Sequence, residues 1–446
     1  SRSLLLLDGV PLNDPFGGWV AWTKLPRESL DRVELVRGGG ATAWGNAALG
    51  GVVQLFTDPA AGERERFAAT LGDFTTRSLE FEVTHAAGGG TLQLLGRDFA
   101  TDGFSLVAPE RRGPIDVAAG SRHRWLAARW REPLGESLEV TLTARGYEES
   151  RNNGTPYQRN GSREHFASVA LAGQPGAIFA WNAVAYAQDQ SFSSTFSSVN
   201  ATRTAETPAS DQFAVPSTAC GAAWTGIWKQ DGDTRTSAGI DARFVRGETR
   251  ENYSFVGGAY TRQRVAGGRQ AVAGLFALHE RPLAPGLRGT LGLRLDTWRE
   301  ADGHRREGAL ATGVLSRDDH YAGLAGTEFS PSVGLVWQAA PAWRLHLAAQ
   351  QAFRRPTLNE LYRPFRQGTT VVEANPDLRT ERVVTGELGA DFTRGAWTLG
   401  AAGFWNDLHD SVSNVTLAHG PGTFPLFGTL AAGGVGRQRL NLDRTL

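Results

Sequence analysis

Arg32-Val-Glu-Leu-Val-Arg37 carries three charges at fixed spacing and runs into Gly38-Gly39-Gly40, with a second pair at Gly50-Gly51. A glycine run after a β-type segment offers two kinds of chemistry: a cradle for phosphate, or a backbone turn that needs φ > 0 and close approach. The dinucleotide fingerprint Gly-x-Gly-x-x-Gly is not met by Gly38-Gly-Gly-Ala-Thr-Ala43, and no Gly-Lys-Ser/Thr follows to make a P-loop. The nine histidines are scattered, without the His-x-His or His-Glu-x-x-His spacing of zinc sites. Asp318-Asp-His320 is the densest set of metal-type ligands, in a polar stretch where solvated side chains are the simpler reading. No Gly-x-Ser-x-Gly elbow is present. No catalytic, cofactor or metal residue is assigned, and the chain is read as a non-enzyme.

The elements around these residues are β-strands. The 446 residues carry 46 basic and 46 acidic side chains, so the basic footprint of a nucleic-acid binder is missing. Mean hydropathy is −0.29, and no run approaches the ~18 apolar residues of a membrane helix. A membrane β-barrel remains open, because its strands alternate and never form long apolar runs. Glycine at 55 and tryptophan at 13 suit curved sheets and lipid–water interfaces, although tryptophans also serve soluble cores. Cys220 stands alone, so no intrachain disulfide can form.

Leu138-Glu-Val-Thr-Leu-Thr-Ala-Arg145 alternates apolar and polar faces, as do Leu287–Asp296 and Trp343–Gln350. Short turns near 88–90, 133–135, 173–176, 231–233, 282–286, 339–341 and 394–395 alternate with long polar stretches. Those long stretches fall at roughly 100–121, 149–163, 191–216, 248–268, 299–326, 354–382 and 411–430. One early tight turn, Asp73–Thr76, stands outside this rhythm. Alternating short and long connections are the layout of an outer-membrane barrel. About sixteen strands of ~10 residues are expected, with Trp125, Trp130, Trp181, Trp224, Trp228, Trp298, Trp337, Trp343, Trp397 and Trp405 towards strand ends as a girdle.

Three motif groups occur in order near the start. They are Asp8-Gly-Val-Pro-Leu12, Leu25 to Gly38, and Trp44-Gly45 with Ala48-Leu-Gly-Gly-Val-Val53. Much later come Phe353-Arg-Arg-Pro-Thr-Leu-Asn-Glu-Leu-Tyr362, Ala374-Asn-Pro-Asp-Leu378 and Gly386-Glu-Leu-Gly389, with Thr380-Glu381 where many relatives have Pro-Glu. Together these resemble the plug and barrel of TonB-dependent outer-membrane receptors.

The resemblance implies an all-β transmembrane antiparallel barrel, 61–446, around the C-terminal part of a plug, 1–60. About sixteen of ~22 strands would then be present, and both ends missing, since an open sheet would leave two unpaired edges in lipid. Asp8, Gly9, Pro11, Glu34, Arg37, Gly38, Gly45, Gly50 and Gly51 become the plug motif. Glu381 and Glu387 share one strand face, and if it is the lumen they can lock onto Arg32 and Arg37; ordinary solvated charges are the alternative.

The implied activity is import of a scarce nutrient by an integral protein of a Gram-negative outer membrane. A ferric siderophore leads and cobalamin follows, with a gated porin, barrel enzyme or adhesin as the other classes. The implied partners are the inner-membrane TonB complex, outer-membrane lipid and lipopolysaccharide, and a small-molecule metal chelate. The TonB box would lie upstream of Ser1. Trp19, Arg354, Arg355, Tyr362, Arg363 and Arg366 are the expected ligand contacts, since arginine suits anionic chelates. Lipopolysaccharide phosphates or water are the alternative partners of these arginines.

Overall fold

The computed structural model describes residues 2–38, 41–58 and 62–445; Gly39, Gly40 and part of the linker after Asp58 lie outside them. The first strands are β1 (Leu4–Leu7), β2 (Val10–Pro11), β3 (Leu30–Arg37) and β4 (Gly51–Thr57), in sheet order β2-β1-β4-β3. Asp8 and Gly9 take φ of 49° and 81°, the left-handed pair of a two-residue hairpin turn, which is why Asp-Gly stands between β1 and β2. β3 and β4 pair antiparallel, as their flanking patterns imply. They are not joined by a tight turn, however. Residues 38–50 intervene and include the short helix α1 (Ala41–Trp44). The glycines shape this longer excursion: at Gly51, with φ of 124°, an added Cβ would stand 2.5 Å from the Val36 carbonyl oxygen.

The remaining strands wrap around this sheet. The first half comprises β5 (Arg64–Gly72), β6 (Thr76–Ala87), β7 (Gly90–Thr101), β8 (Ser121–Pro133), β9 (Leu138–Asn152) and β10 (Arg159–Gly173). Longer strands follow: β11 (Phe179–Val199), β12 (Glu206–Gln230), β13 (Thr234–Val256), β14 (Ala259–Ala284) and β15 (Leu287–Ala309). Next come β16 (Leu315–His320), β17 (Leu324–Ala340), β18 (Trp343–Arg354), helix α2 (Leu358–Tyr362), β19 (Phe365–Gln367) and β20 (Thr370–Glu373). The last are β21 (Glu381–Arg394), β22 (Trp397–His419), β23 (Gly422–Phe424), β24 (Gly428–Leu430) and β25 (Val435–Thr445).

Strands β5 to β22, together with β25, form a closed ring. β15 also pairs directly with β17, and β18 with β21, so β16, β19 and β20 are additions to the rim. Sixteen wall strands remain among the described residues. The unpaired edges expected of an open sheet do not occur, because β25 lies between β22 and β5.

The long loops expected at 191–216 and 248–268 are mostly strand. β12 has 25 residues and β14 has 26, leaving only 200–205 and 257–258 between strands there. Backbone pairing needs a neighbouring strand and not lipid, so hairpins continue beyond the membrane with polar side chains on both faces. The apolar alternation that marks a strand in sequence therefore ends before the strand does. The Asp73–Thr76 turn lies at the long-connection end, beside residue 102, and so keeps the rhythm. Among the tryptophans, Trp125 is buried in the wall's inner cluster and Trp298 stacks under Arg355. Trp343 and Trp228 sit near the short turns against Phe392 and Phe179, each at 5.0 Å.

Candidate functional site at the plug–barrel interface

The lumen face of the wall meets the plug through buried charge. Lys24 closes a short 3₁₀ turn at Trp22–Lys24, and its ammonium donates to Glu164 on β10 at 2.7 Å. Arg145 on β9 donates to the other oxygen of Glu164 at 2.8 Å. Both Lys24 and Glu164 are almost inaccessible to water. Beside them, Thr23 donates to Glu149 at 2.8 Å and lies 2.7 Å from the Tyr147 hydroxyl. Desolvation pulls Lys24 below the ordinary amine range, with Glu164 pushing the other way.

The plug apex is the turn at Asp14–Gly18. Asp14 accepts from the backbone N–H groups of Phe16 at 2.9 Å and Gly17 at 2.6 Å, and from Gln190 on β11. Burial pushes its carboxyl up to about 6, against the pull of those N–H groups and of Lys24. The turn projects Phe16 into a cluster of Val215, Ala219, Val245, Ala266, Leu358, Leu361, Tyr362 and Leu378. The last four belong to the segment between β18 and β21, which folds inward onto the apex. Helix α2 is fixed there by a capping box: Thr357 accepts from the Glu360 N–H and Glu360 accepts from the Thr357 N–H. The backbone N–H of Asn359 also donates to the Phe16 carbonyl at 3.1 Å.

Glu381 and Glu387 both face the lumen, but their partners differ from those expected. Glu381 is fully buried; it accepts from Arg2 at 2.7 Å, from the Val412 N–H at 2.8 Å and from Arg354. The plug cation at Glu381 is thus Arg2. Arg32 instead pairs with Glu34 in its own strand at 3.1 Å and lies over Phe56. Arg37 reaches Glu387 at 3.5 Å, with the arginine 68% exposed and His346 also 3.3 Å from the carboxylate. The motif residues act mainly within the plug. Asp8 accepts from the Thr57 N–H and hydroxyl at 2.9 Å each, Pro11 lies on edge strand β2, and Gly50 donates to the Arg2 carbonyl at 2.6 Å. Gly38 and Gly45 face the wall, where a Cβ would come 2.8 Å from Gln350 and 2.5 Å from the buried Arg294 guanidinium.

The expected ligand contacts are mostly held within the protein. Arg354 pairs with Glu360 at 2.8 Å and with Glu381; Arg355 pairs with Glu300 at 2.6 Å; Arg363 pairs with Glu251 at 2.9 Å. Tyr362 is buried and stacked on Tyr321 at 5.6 Å. Their motif is an inward fold of the chain, which buries side chains that a surface loop would expose. Trp19 is half-buried against Phe192 at 5.1 Å, and Arg366 is exposed. In the polar stretch, Asp318 pairs with Arg306 at 3.2 Å and lies 3.6 Å from His320. Lys24, Glu164, Asp14 and Arg2 carry no motif signal.

Between the plug and strands β11–β14 a cavity of about 150 Å³ remains, bordered by Asn13, Asp14, Asp241, Arg243, Gln270 and Arg354. It lies well below the ~300 Å³ at the lower end of small-molecule sites.

Known proteins share this fold. The family model described as TonB-dependent receptor-like β-barrel matches residues 111–441, and that of the TonB-dependent receptor plug domain matches residues 1–52. The vitamin B12 transporter BtuB of Vibrio vulnificus is 32% identical over 150 residues, 33% of this chain and 24% of that protein. The iron-regulated outer membrane virulence protein of Vibrio cholerae is 29% identical over 134 residues, 29% of this chain and 20% of that protein. Among solved structures, a mutant ferric enterobactin receptor of Pseudomonas aeruginosa superposes with a TM-score of 0.68 at 16% identity, covering 99% of this chain and 69% of that one. The siderophore receptor PirA of Acinetobacter baumannii gives 0.71 at 14% identity, covering 99% and 68%. The barrel model covers most of the length of this plugged barrel, and the chain belongs to the TonB-dependent receptor family of integral outer-membrane proteins.

Proposed function

We propose that this protein imports a scarce metal chelate across the outer membrane, most readily a ferric siderophore, with the TonB complex supplying the work that moves the plug. The observation that carries this reading is the seat itself. The buried Lys24–Glu164–Arg145 cluster and the half-exposed Arg2 on buried Glu381 hold the plug, and a cavity beside it measures about 150 Å³. Moving the plug breaks the buried Lys24–Glu164 pair, which costs several kcal/mol. That favours an energy-coupled importer over a passive porin. Capture involves no covalent chemistry: ligand meets the external hairpins, displaces the inward-folded segment at 355–378 and so loosens the apex at Phe16.

The siderophore reading draws on the names of the structural neighbours. The BtuB stretch, at 32% identity, favours cobalamin as the second reading. Expression of the receptor in an iron-starved strain lacking its own receptors, fed single siderophores or cobalamin, distinguishes them. Rescue by at least one ferric siderophore is expected. Rescue by cobalamin alone moves the cargo to the second reading, and rescue by none overturns import.

A further inference from the structure

The lipid-facing side of β10–β17 contains a furrow built by strand register. Val169 pairs with Ala185, Ala185 with Ala222, Ala222 with Ala242, Ala242 with Ala273, Ala273 with Thr297 and Thr297 with Thr327. Seven strands thus place small side chains in one continuous row, while their alternate residues, such as Tyr186, Val245 and Val272, face inward and are buried. The neighbouring row towards the short turns is large: Trp224, Ile240, Leu275, Leu295 and Phe329 pair in succession. The result is a hollow of about 760 Å³. Six strand spacings of ~4.8 Å give it a length of roughly 29 Å, running obliquely because the strands tilt.

At its loop-side margin the surface turns cationic. Arg299 stands opposite Ala271, one row above the furrow, and Arg246 pairs directly with Arg269 in the next. Like charges directly opposite one another destabilise a sheet. Arg269 lies 3.0 Å from Asp302, whereas Arg246 and Arg299 are exposed and have no carboxylate partner among the described residues. The same belt on β8–β10 is neutralised by the protein, where Glu148 bridges Arg124 at 2.7 Å and Arg163 at 3.3 Å. Above the three arginines lies a polar hollow of about 670 Å³ bordered by Glu248, Arg250, Gln263, His304 and Arg306.

We infer that this face binds one phosphorylated glycolipid of the outer leaflet. An acyl chain lies in the alanine furrow, a phosphate is gripped by Arg246, Arg269 and Arg299, and sugar occupies the polar hollow above. Arginine forks match phosphate oxygens and remain charged, so an anion here removes the opposition of Arg246 and Arg269. A glycerophospholipid has no sugar to fill the upper hollow. The inference rests on the outer-membrane placement and is independent of the cargo.

The full-length receptor, purified in detergent, is titrated with diphosphoryl lipid A, dephosphorylated lipid A and phosphatidylglycerol and read by native mass spectrometry. Wild type is expected to keep one diphosphoryl lipid A, at least tenfold more tightly than either other lipid. Combined Arg246→Gln, Arg269→Gln and Arg299→Gln substitutions lower that affinity at least tenfold. Ala222→Leu with Ala242→Leu, which fills the furrow, lowers it about fivefold. Arg124→Gln with Arg163→Gln leaves it unchanged. Heat-modifiable gel migration identifies folded barrels. Equal affinity in all folded variants, or equal retention of phosphatidylglycerol, overturns the site; neither outcome alters the growth assay for import.

Discussion

Glu164 stands between Lys24 and Arg145 at 2.7 and 2.8 Å, and its removal leaves two buried cations facing each other. Glu164→Ala is expected to weaken plug seating by about 3–5 kcal/mol, the usual cost of breaking a buried pair. Folded barrels should then admit large antibiotics, read as a drop in minimum inhibitory concentration. Glu387→Ala removes an exposed 3.5 Å contact worth about 0–1 kcal/mol, so permeability should stay near wild type. Asp14 adds a pH dependence. Its seated pKa of about 6 is raised from 3.8, so its contribution to seating is present below about pH 4 and lost as pH rises through 6. Protection from hydrogen exchange at residues 14–18, corrected for the intrinsic pH dependence of amide exchange, should be greater at pH 4.5 than at 7, and Asp14→Asn should flatten that difference; equal protection in wild type contradicts it. The facing of Glu381 and Glu387 was legible from strand alternation. Their partners were not, because which plug cation reaches each one depends on how the plug is rotated within the ring.

The elements explain why the plug holds its shape. Gly51 is required twice, by its φ of 124° and by the Val36 carbonyl 2.5 Å from where a Cβ would stand. Gly51→Ala should part β3 from β4 and free the backbone at the already exposed Arg32 and Arg37 for trypsin cleavage; unchanged digestion would contradict that role. The inward segment depends on a cap and on packing. Thr357→Ala should cost about 1 kcal/mol and Leu361→Ala about 2–5 kcal/mol, both read as faster hydrogen exchange across 355–378. The strands of the barrel were legible wherever one face meets lipid, as at Leu138–Ala144. The rims were not, since β12 and β14 run on past the membrane with polar residues on both faces. The helix α1 within residues 38–50 was hidden for another reason. Four residues of Ala-Thr-Ala-Trp are too short for a 3.6-residue period to appear.

At the scale of the whole molecule, sixteen wall strands among the described residues close around a four-stranded plug, with a cavity of about 150 Å³ between the plug and β11–β14. Closure through β25 could not be read from the sequence, because Arg437-Gln-Arg-Leu-Asn-Leu-Asp443 alternates like any other wall strand and does not name its neighbours. The order of the plug and barrel motifs was legible, and it pointed to the family. The cargo was not, because the arginines that looked available for a chelate are bound to Glu300, Glu251, Glu360 and Glu381. The central claim is that the plug moves only when work is done on it. Uptake of ⁵⁵Fe from the growth-supporting ferric siderophore, compared in otherwise identical cells with and without TonB, tests this most directly. Uptake that falls to background without TonB is the predicted result, and equal uptake in both strains would contradict it.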